Sequence, residues 1–349
     1  MKGMRKITWV GFMAVVMLAL GAVVPALAQE MPPLPGELVI GDLNTPRGIA
    51  FDANGNLIVT VVGNGGEVAV TMPGPDGETT FQMGMTGKII SVAPDGTSAD
   101  VSVGFPSYAS PSEVTGLYRA IPQGDSLWVL FSGAGAVTTG GFWMDSIAEL
   151  DAKTLAVKRI INLNAIEASQ DPDGAGFDTN VSDIAWGPDG TLYITDAGGN
   201  DLLSWTEADG LKVVHAWTDN PVPTAVEVAD NGDLYIGFLG AGLAPGAGKI
   251  EHWSGGELKE TFGGLNAVSD ILLDGDTLYA VELVLFTEQG PGPGRVVMVD
   301  ASGATPVAEG LITPFGLAKG PDGALYVSFG TIAFAPGMTG GVVKLSMGM

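Results

Sequence analysis

The sequence predicts an all-β fold: a six-bladed β-propeller with four-stranded blades, closed by an N-terminal strand that completes the last blade. Three observations predict it. One hairpin-bearing pattern recurs six times along the chain. Turn residues, not helical periodicity, separate the apolar runs. The two ends of the chain hold complementary parts of one repeat.

The repeats are PRGIAFDANGNLIVTVVG (46–63), PSEVTGLYRAIPQGDSLWVLFSG (111–133), VSDIAWGPDGTLYITDAGG (181–199), PTAVEVADNGDLYIGFLG (223–240), VSDILLDGDTLYAVELV (268–284) and PFGLAKGPDGALYVSFG (314–330). Each is a short apolar strand, an Asp-Gly or Asn-Gly type turn, then a leucine that opens a second apolar strand. These turn residues tolerate φ > 0 and reverse the chain tightly. The anchoring leucines are Leu57, Leu127, Leu192, Leu234, Leu278 and Leu325, spaced by 70, 65, 42, 44 and 47 residues. The short spacings suit one four-stranded blade, and the long ones imply insertions. A second hairpin follows the first, as in LLSWTEADGLKVVHAW (202–217), KIEHWSGGELKETF (249–262) and RVVMVDASGATPVAE (295–309). Each unit therefore reads as strands a, b, c and d. No unit can bury both faces alone, whereas a ring of them can.

The sixth unit runs through a, b and c and stops at GVVKLSMGM (341–349). The missing fourth strand is available in GELVIGDL (36–43), before the first repeat. Adding it closes the ring and removes exposed sheet edges.

The a–b and c–d turns are short and fall on one face. The d–a and b–c connections fall on the other and are long. One insertion spans 64–87. Another spans 163–180, where Asn164 with Glu167 has the form of a helix N-cap and its capping-box acid. Three further connections, 239–248, 285–294 and 330–340, are rich in Gly and Pro. Loops held on a rigid scaffold commonly carry binding, so this face is the candidate functional one. Tolerated length drift is the alternative.

Residues 1–28 read as an export signal: Lys2, Arg5 and Lys6, an apolar run from Ile7, and a small-residue cleavage site at Ala26-Leu27-Ala28. Residues 29–349 are expected to form one propeller domain, secreted or periplasmic, with no later membrane span. The chain has no cysteine, so its stability is expected without disulfides. Losing three basic residues with the signal takes the formal charge from −24 to −27. Such a surface repels nucleic acid and anionic lipid and attracts cations. A monomer is expected, with a small molecule or protein as partner on the looped face.

Residues just before each inner strand are expected at the channel mouth: Arg47, Ser112 and Glu113, Ser182 and Asp183, Thr224, Ser269 and Asp270, and Phe315. Glu113, Asp183 and Asp270 could converge on Ca²⁺, which takes several oxygen ligands; a hydrated acidic mouth with Arg47 paired to one acid is the alternative. Residues just after the second strands are Val61, Phe131, Asp196, Phe238, Glu282 and Phe329. The phenylalanines suit core packing or an aromatic surface. Arg47, Thr224, Asp196 and Glu282 are the candidate ligand-binding residues. The cluster Asp171, Asp173, Asp178 and Asn180 is dense in oxygen donors but lacks the calcium-loop pattern ending in Glu, and reads as an Asx-type turn. Gly124 to Leu127 spells a hydrolase-like GDSL string, but it lies on the tight face with no histidine near it. His215 and His252 fall in outer strands, so histidine-based acid–base catalysis has little support.

Several motifs resemble the ScyD/ScyE-type family of secreted propellers. They are Thr45-Pro-Arg-Gly48, Pro172-Asp-Gly174, Asp178-Thr-Asn180, Tyr193-Ile-Thr-Asp196-Ala-Gly-Gly-Asn200, Val222-Pro-Thr224 and Pro321-Asp-Gly-Ala-Leu-Tyr-Val327. Val181 stands where that family usually has proline. The family resembles NHL and TolB-like six-bladed propellers, whose superfamily also holds calcium-dependent phosphotriesterases and lactonases. The resemblance implies a propeller and carries over no catalytic residues. Two functions follow as expectations. One is a non-catalytic binding scaffold outside the cytoplasmic membrane. The other is a calcium-dependent hydrolase using Glu113, Asp183 and Asp270, with Asn180.

Overall fold

The computed structural model describes residues 33–74, 77–110, 114–133, 144–287, 290–332 and 338–346. The expected export segment, residues 1–28, lies outside these residues, as do Ser112 and Glu113. Among the described residues no helix is long and apolar enough to cross a membrane.

The chain folds as an all-β propeller with four-stranded blades. Strand β1 (Gly36–Leu43) precedes the first repeat. The repeat itself comprises β2 (Pro46–Phe51), β3 (Leu57–Val61), β4 (Val68–Gly74), β5 (Gly77–Val92) and β6 (Ser98–Ala109). The second holds β7 (Val114–Gln123), β8 (Ser126–Phe131), β9 (Ser146–Asp151) and β10 (Val157–Asn162), followed by helix α1 (Asn164–Gln170). The third holds β11 (Val181–Trp186), β12 (Leu192–Asp196), β13 (Asp201–Thr206) and β14 (Gly210–Ala216). The fourth holds β15 (Pro223–Val228), β16 (Leu234–Phe238), β17 (Gly248–Ser254) and β18 (Glu257–Leu265). The fifth holds β19 (Val268–Asp274), β20 (Thr277–Thr287), β21 (Gly290–Asp300) and β22 (Gly303–Leu311). The last holds β23 (Leu317–Lys319), β24 (Leu325–Phe329) and β25 (Gly340–Leu345).

The turns that start these hairpins follow from local chemistry. Gly55, Gly190, Gly232 and Gly323 sit at φ between 80 and 87°, a region open to glycine at little cost. Asp52, Asp189 and Asp322 accept amide bonds within their own turns.

The sheets depart from the expected count. Four are separate four-stranded blades, in the orders β11-β12-β13-β14, β15-β16-β17-β18, β19-β20-β21-β22 and β1-β25-β24-β23. The first two repeats instead share one nine-stranded sheet. The reason is that β6 outruns its blade. Its end pairs with β7 through Ser107↔Gly116, Tyr108↔Thr115 and Ala109↔Val114, so the edge that should separate two blades is bridged. The first strands of the six repeats, β2, β7, β11, β15, β19 and β23, nonetheless touch in cyclic order.

The chain ends meet as the incomplete last repeat requires. β1 pairs antiparallel with β25, from Gly36↔Leu345 to Leu43↔Gly340. Glycine is needed at that seam: a Cβ on Gly341 would lie 2.3 Å from the Ile40 carbonyl oxygen.

Two of the expected loops are strands. The insertion at 64–87 holds β4 and the first part of β5, paired from Val68↔Met83 to Gly74↔Gly77. Residues 285–294 extend the β20–β21 hairpin to Thr287↔Gly290. In both, the ladder continues past the blade because each added residue finds a hydrogen-bonding partner. A one-turn helical segment, Ala241–Leu243, occupies the 239–248 connection. The helix expected after 163 forms, but Asn164 does not cap it. Leu163 is the N-cap and no side chain caps it, because Asn164 already lies in the first turn. Glu167 turns inward and is 3% exposed.

Five of the anchoring leucines are buried, and Leu234 is half-buried. Phe131, Phe238 and Phe329 lie in three separate core clusters. They are core residues, not an aromatic surface.

Candidate functional site

The inner strands carry the first candidate site. Arg119 on β7, Asp183 on β11 and Asp270 on β19 occupy equivalent places in their repeats. Each follows the irregularity after the residue paired with the end of strand b, and each stands opposite the next residue back. Arg119 Nε donates to Asp183 Oδ1 at 2.5 Å, and its Nη2 donates to Asp270 Oδ1 at 2.6 Å. In the cyclic order β19 lies opposite β7, so the guanidinium spans the channel.

The remaining oxygen capacity is used by the backbone. Asp183 Oδ1 and Asp270 Oδ1 accept from the next amides, of Ile184 and Ile271. Asp183 Oδ2 accepts from Val226 N on β15 and Asp270 Oδ2 from Leu317 N on β23. Each aspartate thereby ties its own strand to the next inner strand. Burial opposes the charge on Arg119, but Asp183 and Asp270 outweigh it and hold the guanidinium ionised. Burial pushes the Asp270 carboxyl up, while Arg119 pulls it down. Half-buried Glu227 on β15 is pushed to about 8, by burial and then by the charges of Asp270 and Asp183.

Hydroxyl groups lace the same ring. Thr224 Oγ1 donates to Val268 O at 2.6 Å and to Gly237 O. Thr60 Oγ1 donates to Tyr118 O at 2.8 Å, and Ser328 Oγ to Arg47 O at 2.6 Å. Thr224 is thus a blade-to-blade tie. Arg47 is 4% exposed. Its guanidinium carbon sits 4.8 Å from the Tyr118 ring centroid and 4.6 Å from that of Phe315, making cation–π contacts with two rings that meet edge to face. Among the described residues Arg47 makes no ion pair; Nη2 reaches Val114 O at 3.4 Å.

Asp196 and Glu282 share a different role. Each pairs with the first residue of its strand a and accepts the amide of the asparagine preceding that strand: Asn180 N to Asp196 Oδ1 at 2.7 Å, Asn266 N to Glu282 Oε1 at 2.6 Å. Asp196 Oδ1 also accepts from Gly198 N and Gly199 N, both at 3.0 Å. Glu282 is further paired with Arg295.

The expected calcium set is therefore divided. Glu113 lies outside the described residues. The inner-strand place equivalent to Asp183 and Asp270 belongs to Arg119, a cation, because the second repeat is shifted relative to the reading that put Glu113 there. Asn180 belongs to the Asp196 group, and its Oδ1 accepts from Ser132 Oγ at 2.7 Å.

A second acidic group lies beneath α1. Glu167, Asp196 and Asp201 are 3%, 1% and 0% exposed. Asp196 and Asp201 face each other across β12 and β13. Asp173 accepts from Ala175 N and from Asn200 Nδ2. Neither carboxylate oxygen of Asp201 has a hydrogen-bond partner, and Glu167 has only the Asp178 amide nearby, short of a well-formed bond. Burial, then the charges of Asp196, Asp173 and Asp171, push Glu167 to about 8, with the Asp178 amide opposing. Burial, then the charges of Asp196, Glu167 and Asp173, push Asp201 up as well. Among the described residues, no three His, Cys, Asp or Glu side chains converge as a closed metal centre. Within the 171–180 loop, Asp171 Oδ1 accepts from Gly176 N in the expected Asx fashion, while Thr179 Oγ1 has no partner.

The remaining sequence features fall outside any site. Ser126 of the GDSL string bonds to Glu149 Oε1 at 2.7 Å and to Lys158. His252 pairs with Asp233 and stacks on Tyr235. His215 packs against Trp217 and Trp253.

No protein-family model matches the chain. No curated protein sequence matches it either. Solved structures do. A putative oxidoreductase (glucose dehydrogenase) from Thermus thermophilus is similar at 16% identity and a TM-score of 0.55, covering 89% of this chain and 100% of that one. Regucalcin from Agrobacterium tumefaciens, a calcium-binding protein, is similar at 12% identity and 0.54, covering 90% and 96%. A streptogramin B lyase structure is similar at 14% identity and 0.50, covering 90% and 96%. At these identities the likeness establishes the fold alone: the chain is a β-propeller of the kind these three proteins share.

Proposed function

We propose that this chain is an extracytoplasmic six-bladed propeller, of the ScyD/ScyE type, that binds a small molecule or protein on its looped face and performs no chemistry of its own. Six blades are supported by the cyclic contact of six inner strands, and export by the N-terminal segment of Lys2, Arg5 and Lys6 with its apolar run. The observation that carries the non-catalytic reading is the commitment of all four Asp183 and Asp270 oxygens. They accept from Arg119 and from the amides of Ile184, Ile271, Val226 and Leu317. A reactive centre needs groups poised toward a substrate, whereas these hold the ring together. Calcium-dependent ester or lactone hydrolysis in the channel would require both aspartates to leave Arg119.

The test is a turnover screen of residues 29–349 on aryl esters, lactones and a phosphotriester, with and without calcium. No turnover is expected. Calcium-dependent turnover that disappears in Asp183→Asn would overturn the reading.

A further inference from the structure

Buried polar side chains almost always find partners, so a concentration of exceptions asks for a cause. Among the described residues ten buried side-chain polar atoms lack one, and eight of these are oxygens of residues between 164 and 220. Four of the eight are the carboxylate oxygens of Glu167 and Asp201. The two side chains come from different elements, α1 and the start of β13, and are both nearly inaccessible, at 3% and 0%.

Among the described residues, the interactions at this cluster add negative charge and no ion pair with a cation. Asp196 stands directly across from Asp201. The Gly199 backbone lies between Glu167 and Asp196: a Cβ there would be 2.6 Å from Glu167 Oε1 and 3.4 Å from Asp196 Cγ. Asp173 is tied to the same stretch through Asn200. Among the described residues none of these four carboxylates is paired with Lys, Arg or His. An unpaired buried carboxylate costs several kcal/mol, and two close together cost more. Protonation would resolve this only in part: a protonated Asp201 could donate to Asp196 across the strands, but its second oxygen would stay unsatisfied.

We propose that Glu167 and Asp201 are direct ligands of a hard divalent cation of the calcium type, held between helix α1 and the first residue of β13. The donors are oxygen only, which selects Ca²⁺ over zinc or copper. Two direct carboxylates suffice, because calcium fills six to eight positions and takes carbonyls and water for the rest. Asp196 and Asp173, whose oxygens already accept amide hydrogens, supply fixed negative charge around it. The ion would pin α1, in the insertion that enters the third blade, onto the blade itself. This site lies apart from the Arg119 channel and does not rest on the binding function proposed above.

The test uses residues 29–349 stripped with EDTA, dialysed, and titrated with CaCl₂ by calorimetry and by thermal melting. One calcium per chain is expected, with Tm rising by about 4 °C or more at a hundredfold excess over Kd. Glu167→Gln and Asp201→Asn should each weaken binding at least tenfold and remove the calcium-dependent rise in Tm. Each variant should also melt higher than the stripped parent, since each removes a buried carboxyl from a crowded acidic cluster; that readout stands even where binding is lost. No heat and no rise in Tm for the parent overturns the proposal. So does calcium binding that survives both variants, or that is lost in Asp183→Asn instead, which would put the ion in the channel.

Discussion

Replacing Arg119 by alanine tests the central tie of the fold. The guanidinium serves two carboxylates at once, and the three side chains are 11%, 3% and 1% exposed. Removing one partner of a buried pair costs about 3–5 kcal/mol, because the charge left behind is desolvated and uncompensated. Here two charges are left, but each keeps two amide donors, and that holds the estimate within this range. With a urea m-value of about 3 kcal/mol/M for a chain of this size, the unfolding midpoint should drop by about 1–1.7 M at pH 8, read by tryptophan fluorescence. At pH 5 the drop should shrink. Asp270 is already pushed up by burial against the pull of Arg119, so without Arg119 it takes up a proton in mild acid and sheds its charge. Adding Asp183→Asn and Asp270→Asn to Arg119→Met should recover most of the loss. A midpoint within about 0.3 M of the parent at pH 8, or an equal drop at both pH values, would refute the reasoning.

Deleting residues 33–43 removes β1 and uncovers the edge of β25 along Gly340–Leu345. The truncated chain is expected to lose its cooperative melt or to elute as an oligomer in size-exclusion chromatography, since an open edge recruits another strand. Glu227 carries a folded-state pKa of about 8, raised from 4.5. Its contribution is therefore complete below about pH 4.5 and is lost as pH rises through 8. Tm should fall between pH 5 and pH 8, and Glu227→Gln should flatten that slope; an unchanged slope would exclude Glu227 as its source. Asp196→Ala leaves the amides of Asn180, Gly198 and Gly199 without their acceptor. At about 1–3 kcal/mol for each buried group left unpaired, less any rescue by water, denaturant unfolding should show a loss of about 2 kcal/mol or more.

The sequence by itself determined what depends on neighbours along the chain. Period-two apolar runs, Asn-Gly and Asp-Gly turns and anchoring leucines such as Leu192 and Leu325 specify hairpins through local sterics and burial. The meeting of the two ends was legible for the same reason: a repeat short of one strand leaves a ladder unpaired, and Gly36–Leu43 is the segment that fills it. Tertiary structure decided the site. Arg119 meets partners 64 and 151 residues away, and no local pattern encodes such distances. A signal did exist in the spacing to the anchoring leucines: eight residues before Leu127 stands Arg119, and eight before Leu278 stands Asp270. Glu113 stands fourteen residues before Leu127, outside that register. Glu167 reads along the chain as a capping acid, because a helix start four residues long offers no other partner. In the fold it faces Asp196 and Gly199, brought there by the β12–β13 turn. The two merged repeats have the same origin. Whether β6 stops at its blade or runs on to β7 depends on which strand waits beside it, and only the closed ring determines that.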